Sequence, residues 1–117
     1  MRKILFRGKS IVLNIWIYGH LKIDKYGYAY INSEYVLNKY TRIYANTVSQ
    51  YVGFEDDEGE MIFEGDIIQT PYRKFKVTYK DGVYGDSNGI PMRSSIFGEG
   101  GVVIGNIFDN PELLQGE

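Results

Sequence analysis

Apolar and polar residues alternate along most of this chain, and the alternating runs are cut by short clusters that join a glycine to Asp, Asn or Glu. Period-two alternation is the mark of strands with one buried face. Residues 3–9 place Ile4 and Phe6 on one side and Lys3, Leu5, Arg7 and Lys9 on the other, which predicts a strand whose basic side faces water. Residues 11–23 continue in the same style. Ile15, Ile17, Leu21 and Ile23 share one parity and Trp16, Tyr18 and His20 the other, so this strand is expected to be central or covered on both sides around Trp16. Gly19 interrupts it, and an isolated glycine in a strand predicts a bulge or a close backbone approach.

Asp24-Lys25-Tyr26-Gly27 has the composition of a tight turn, after which Tyr28 and Tyr30 face one way and Ala29 and Ile31 the other. The pattern predicts a hairpin from Leu21 to Ile31. Residues 32–46 admit two readings. Leu37, Tyr40 and Tyr44 are spaced like a helix face, whereas Val36, Tyr40, Thr41 and Ile43 suit a strand; a loop with a short strand near residues 42–44 is the first reading and a helical turn the second.

The densest signals lie in residues 47–68, T-V-S-Q-Y-V-G-F-E-D-D-E-G-E-M-I-F-E-G-D-I-I. Three apolar patches (Tyr51 with Val52 and Phe54, residues 61–63, Ile67 with Ile68) are separated by two glycine-plus-acid punctuations. Gly supplies a positive φ and Asp hydrogen-bonds its own backbone, so strands joined by tight turns are predicted. Beyond them Lys74, Lys76, Thr78 and Lys80 alternate with Arg73, Phe75, Val77 and Tyr79 in one strand, and Asp81-Gly82 turns the chain. Residues 82–101 have the glycine content of a long loop. Residues 102–108 predict a last strand. Asn110 as helix cap, Pro111 at the first helical position and Glu112 beside it predict a short terminal helical turn whose leucines pack back on the sheet.

Composition sharpens this. The 117 residues hold 11 Tyr, 14 Gly and only 3 Pro, a balance that favours strands and tight turns. The expectation is one all-β domain over residues 1–117: an N-terminal sheet portion to about residue 46, packed on a small SH3-like barrel over about 47–115, with a Tyr-rich core around Trp16, Phe54, Phe63 and Ile107. The absence of Cys excludes disulfides, thiol nucleophiles and cysteine-bound zinc, and suits a reducing cytoplasm. No apolar run reaches the roughly 20 residues needed to span a bilayer, and the start of the chain does not read as a signal peptide, so a cytoplasmic protein without membrane contact is expected. A net charge of −2 gives the whole molecule no field to attract polyanions.

The stretch 47–68, the ending V-I-G-N-I-F-D-N-P-E-L-L and the opening I-L-F-R-G-K with W-I-Y-G resemble the YopX family of bacteriophage and prophage proteins. The family usually has Gly where Ser49 stands, and often Pro and Glu where Ala45 and Asn46 stand. The resemblance implies a compact, mainly β protein encoded by a phage or prophage and acting in the host cytoplasm. It brings no catalytic or binding residue with it, because the family's biochemical role is not established. Its motif residues read as fold determinants: Gly65 for a positive-φ turn, Asp66 for that turn's N–H groups, Asn110 and Pro111 for the terminal cap.

Candidate chemistry is sparse. Glu55, Asp56, Asp57, Glu58 and Glu60 are carboxylates that a hard cation would accept, but they lack the spacing of a calcium loop and suit a solvated hairpin turn. His20 is the sole histidine, with no nucleophile motif around it. Glu64 and Asp66 have the types needed for acid and base work, and equally those of a turn. Gly98-Glu99-Gly100-Gly101 lacks the Lys-Ser/Thr of a phosphate loop. The sequence therefore assigns no catalytic, cofactor or metal residue. Its candidate surface is Tyr72, Arg73, Lys74, Lys76 and Lys80, cations interleaved with aromatics on a strand. The expected function is a non-enzymatic phage accessory protein that binds a macromolecule, protein ahead of nucleic acid, with room for self-association. A nucleic-acid-binding small barrel and a small carboxylate or metal-dependent hydrolase are the alternatives.

Overall fold

The structure, a computed structural model, describes residues 4–33, 39–91 and 100–115. Lys3, residues 34–38 with Val36 and Leu37 of the ambiguous segment, and residues 92–99 of the glycine-rich stretch lie outside the described residues. The chain divides into two compact units, residues 1–51 and 52–117. The described residues are mainly strand, with two single 3-10 turns, and their strands pair antiparallel. Among them no helix is long and apolar enough to cross a membrane.

In the first unit β1 (Phe6–Lys9), β2 (Trp16–Ile23), β3 (Ala29–Asn32) and β4 (Tyr40–Ile43) lie in the order β4-β3-β2-β1, and the start of β5 (Ser49–Glu55) pairs on the far side of β1. β2 is central, as its composition predicts. The hairpin of β2 and β3 sets Leu21 opposite Ile31. Asp24 builds its turn: Oδ1 accepts from the Tyr26 and Tyr28 N–H groups, and Gly27 lies at φ +87°. Gly19 marks a close approach. A Cβ there would lie 2.1 Å from the Asn32 carbonyl oxygen. The short strand expected near residues 42–44 is present but lies earlier, at Tyr40–Ile43, and a 3-10 turn (Ala45–Thr47) comes after it. Ser49 is buried, and its hydroxyl donates to the Thr47 carbonyl.

Ile17, Ala29, Ile31 and Ile43 are the buried cluster of this sheet, with Phe6, Leu21 and Val48 packed against it. The opposite parity corrects the sequence reading twice. Arg7, expected in water, is only 5% exposed, its guanidinium 4.7 Å from the Trp16 ring centroid. Trp16 is half-buried, covering Arg7, and belongs to neither buried cluster. Residues 11–14 form a turn, not strand, with Asn14 at φ +56° and Leu13 N–H bonded to Ser10 Oγ.

The second unit begins with the rest of β5 and continues through β6 (Met61–Phe63), β7 (Asp66–Gln69), β8 (Lys74–Lys76), β9 (Thr78–Lys80), β10 (Val83–Gly85) and β11 (Val102–Asn106). β5 and β6 are neighbours, β7 lies between β11 and β8, and β9 pairs with β10 alone. These sheets do not close into the expected SH3-like barrel. The predicted strand 73–80 is split at Val77, whose N–H donates to the Asp66 carbonyl and whose carbonyl accepts from Gly65, so β8 and β9 enter different ladders. Val52, Ile62, Ile68, Phe75 and Val77 are the buried cluster here. Of the four expected core anchors only Phe63 is fully buried; Trp16, Phe54 and Ile107 are half-covered.

The turns obey the predicted chemistry. Gly59 and Gly65 take φ of +82° and +87°, and Asp66 Oδ2 accepts from Phe63 N–H at 2.7 Å. Asp81 and Gly82, both at positive φ, make the two-residue hairpin turn between β9 and β10. The stretch expected as one long loop from residue 82 contains regular structure: β10 is a strand, and Asp86 to Gly89 form a turn in which Gly89 N–H donates to the Asp86 carbonyl. β11 carries an irregularity between Val103 and Gly105, and a 3-10 turn (Pro111–Leu114) lies beyond it. Asn110 does not cap that turn with its side chain; its Oδ1 accepts from Asn106 N–H at 3.3 Å. Leu113 packs back on β11, where a Cβ on Gly105 would come within 2.9 Å of it.

Candidate functional site

Predicted and observed surfaces differ. Tyr72 is 81% exposed, but Arg73 is turned inward: Nη1 lies 2.7 Å from Asp86 Oδ2, and Asp86 is fully buried. The Arg73 guanidinium also sits 4.5 Å from the Phe75 ring centroid. Lys74 and Lys76 lie on β8, opposite Gln69 and Ile67, while Lys80 ends β9 in a separate two-stranded ladder. The structure thus keeps Lys74 and Lys76 together, takes Arg73 into a structural ion pair, and does not place the five residues on one strand face.

The carboxylates are likewise structural. Asp56, expected in a solvated acidic hairpin, is buried: Oδ1 accepts from Glu58 and Glu60 N–H, and Oδ2 from Val103 N–H at 2.8 Å. Asp57, Glu58 and Glu60 remain exposed. Burial raises the Glu64 carboxyl above its ordinary value, while Asp66 is occupied by its turn. Among the described residues no group of three or more His, Asp or Glu is placed to hold a metal ion.

The first unit holds a surface that the linear pattern does not assemble. Strand parity opposite the Ile17–Ile31–Ile43 cluster puts Trp16, Tyr18, His20 and Lys22 of β2, Tyr30 and Asn32 of β3, Tyr40 and Arg42 of β4 and Arg7 and Lys9 of β1 on one face. Register aligns them in rows: Lys22, Tyr30 and Arg42 are directly opposite one another, as are His20, Asn32 and Tyr40, and Tyr18 faces Arg7. Cations stand over rings throughout. Arg42 lies 4.0 Å from the Tyr28 centroid, Lys22 5.3 Å from Tyr40, and Lys9 5.5 Å from Trp16. Such contacts are worth about 0.5–1 kcal/mol at exposed sites. Tyr18, Tyr28 and Tyr40 are each close to half exposed.

At the edge of this face Tyr30 donates its hydroxyl to Asp24 Oδ2 at 3.0 Å. Partial removal from water raises the Asp24 carboxyl, but hydrogen bonds from the Tyr28 and Tyr26 N–H groups and the Tyr30 hydroxyl, with Arg42 nearby, outweigh it and hold the group below its ordinary value. The same hydrogen bond, helped by desolvation, pushes the Tyr30 phenol up.

A family model described as YopX protein matches residues 5–115. The chain belongs to the YopX family. This YopX protein is also similar in fold to protein EF1440 from Enterococcus faecalis, with a TM-score of 0.66 and 19% identity over 98% of this chain and 100% of that one. No curated protein matches the chain.

The charge of this YopX chain is divided as unevenly as its side chains. Residues 1–51 carry eight Lys and Arg against two Asp and Glu, and residues 52–117 five against thirteen, so formal charges of +6 and −8 hide inside the net −2. Counting charge by halves instead of over the whole chain is the signal that sequence reasoning had within reach. Exposed aromatics stand beside cations on this face, where Asp24 is the acidic group among the described residues, and such side chains have the chemistry for stacking and for charge contacts.

Proposed function

We propose that this YopX protein is a non-enzymatic accessory protein, encoded by a phage or prophage and acting in the host cytoplasm, that works by binding a macromolecule. The observation that carries the reading is the face of the β1–β4 sheet where five aromatic rings share one surface with Lys9, Lys22 and Arg42, Arg7 lying buried against Trp16. A surface that spans four strands suits a polymer better than a small substrate, which concave pockets enclose. Support for a non-catalytic role comes from the buried carboxylates: Asp56, Asp66 and Asp86 each accept hydrogen bonds that hold a turn or an Arg in place. A second observation gives a protein partner a surface as well. Val12, Leu13 and Ile15 are 82%, 57% and 51% exposed at the turn before β2, an apolar tip of the type that marks contact surfaces.

The test is purification of the tagged chain from host cells, with and without nuclease. A species that co-purifies in stoichiometric amount, and that rebinds the purified protein, is expected. A protein that emerges alone and turns over one of a panel of ester, phosphoester and glycoside substrates would replace this reading with the hydrolase.

A further inference from the structure

We infer that the open face of the β1–β4 sheet binds single-stranded nucleic acid, with bases stacked on Tyr18, Tyr28 and Tyr40 and phosphates held by Lys9, Lys22 and Arg42. This rests on the macromolecule-binding function proposed for the same face and names the polymer. The formal +6 of residues 1–51 supplies the complementary charge. Asp24 is the acidic group at this face among the described residues, and it is already occupied by Tyr30 and by its own turn. In the row Lys22–Tyr30–Arg42 a ring stands between two cations, and Trp16 stands opposite Lys9, so a nucleic-acid strand crossing the sheet there meets a ring and a cation within one strand spacing of about 4.8 Å. That order suits a chain of bases joined by phosphates.

Two features select single strands. Tyr18, Tyr28 and Tyr40 are exposed side chains on which only unstacked bases can lie; in a duplex the bases are already stacked on one another. Lys22 over Tyr40 and Arg42 over Tyr28 are contacts between exposed side chains, which a nucleic acid exchanges for phosphates on the cations and bases on the rings. Lys74, Lys76 and Lys80 of the second unit are divided between two ladders, and Arg73 beside them is bound to Asp86.

Fluorescence anisotropy with a labelled oligothymidylate of about 16 nucleotides tests this. Saturable binding at micromolar protein and low salt is expected, weakening with salt at a log–log slope of about −2 for three phosphates on a single strand. Replacing Lys9, Lys22 and Arg42 together by Gln should flatten that slope. Tyr18→Ala and Tyr40→Ala should each weaken binding about tenfold with the slope kept. Circular dichroism and melting of each variant separate loss of contact from loss of fold, and Tyr18→Phe, which keeps the ring, should bind as the parent does. The inference is overturned by absent saturation, by duplex binding as tight as single-strand binding, or by binding that survives the face variants and disappears in the Lys74→Gln, Lys76→Gln, Lys80→Gln triple variant. A nuclease-resistant protein partner with no oligonucleotide binding would sink this inference and leave the macromolecule-binding function standing; neither kind of partner would sink both.

Discussion

A carboxylate that accepts two N–H groups of its own turn has one oxygen left, and in this chain that oxygen decides what the turn is tied to. Asp24, Asp56 and Asp86 each open a four-residue turn that ends in a positive-φ Gly, and each uses Oδ1 for the N–H groups two and four residues on. The second oxygens meet Tyr30, Val103 and Arg73 respectively. Asp56→Ala should therefore cost at least about 1–3 kcal/mol, the penalty for leaving buried donors unmatched, whereas Asp57→Ala should stay within about 0.5 kcal/mol. Urea midpoints of the two variants check this. For Asp24 and Tyr30 the prediction is in pH. A carboxyl with a lowered folded pKa gives stability that is present above its unfolded value and lost as pH falls through the folded one; a phenol with a raised pKa gives stability present below its unfolded value and lost as pH rises through the folded one. Tyr30→Phe should bring the Asp24 titration, tracked by carboxyl NMR, back toward its ordinary value and remove the alkaline window.

At the scale of elements, the hairpin of β2 and β3 depends on a missing side chain. Gly19→Ala would drive a Cβ to within 2.1 Å of the Asn32 carbonyl and 3.2 Å of Ser33 Cα, backbone atoms that cannot swing aside. We expect a loss of about 3 kcal/mol or more. Gly27→Ala meets open space and only the strain of φ +87°, about 1–2 kcal/mol, so thermal melting should rank Gly19→Ala below it. Most elements are legible in the sequence because their punctuation acts locally: Asp and Gly at 24–27, 56–59 and 81–82 make a turn wherever the rest of the chain goes. What parity cannot supply is which side of a strand finds cover. It puts Arg7 in water and Trp16 in the core, and the structure stacks one on the other instead. The alternation over 73–80 is unbroken and suggests one continuous strand; its division at Val77 comes from hydrogen bonds to Gly65 and Asp66, which pattern alone does not carry.

Among the described residues there is a buried cluster in each unit, and β5 runs from one unit into the other. Local opening is governed by the packing around each amide. In Gly19→Ala, hydrogen exchange should accelerate in β2 and β3 while β7 and β11, built on Ile67, Ile68 and Val103, keep their protection. Equal acceleration everywhere would show that both clusters open together. Summing charge over the whole chain hides the candidate surface for an arithmetical reason: +6 and −8 nearly cancel, and a net charge near zero argues against a polyanion partner. The residues of that surface come from four strands, so only register brings them into rows.

The turn at Asp86 also bears on how the protein ages. Asn88 precedes Gly89 on an exposed turn, the pairing most prone to lose ammonia when the next backbone nitrogen attacks the side-chain amide and closes a succinimide ring. Here that nitrogen donates to the Asp86 carbonyl at 2.9 Å, and Asp86 Oδ1 fixes the Asn88 and Ile90 amides on either side. A nucleophile held in a hydrogen bond, on a backbone that cannot rotate toward its target, reacts slowly. Stored at mildly alkaline pH, the parent should keep Asn88 intact by peptide mapping, and Asp86→Ala should convert it to aspartate and isoaspartate well before it unfolds, so that one buried carboxylate sets the shelf life of a residue two positions away.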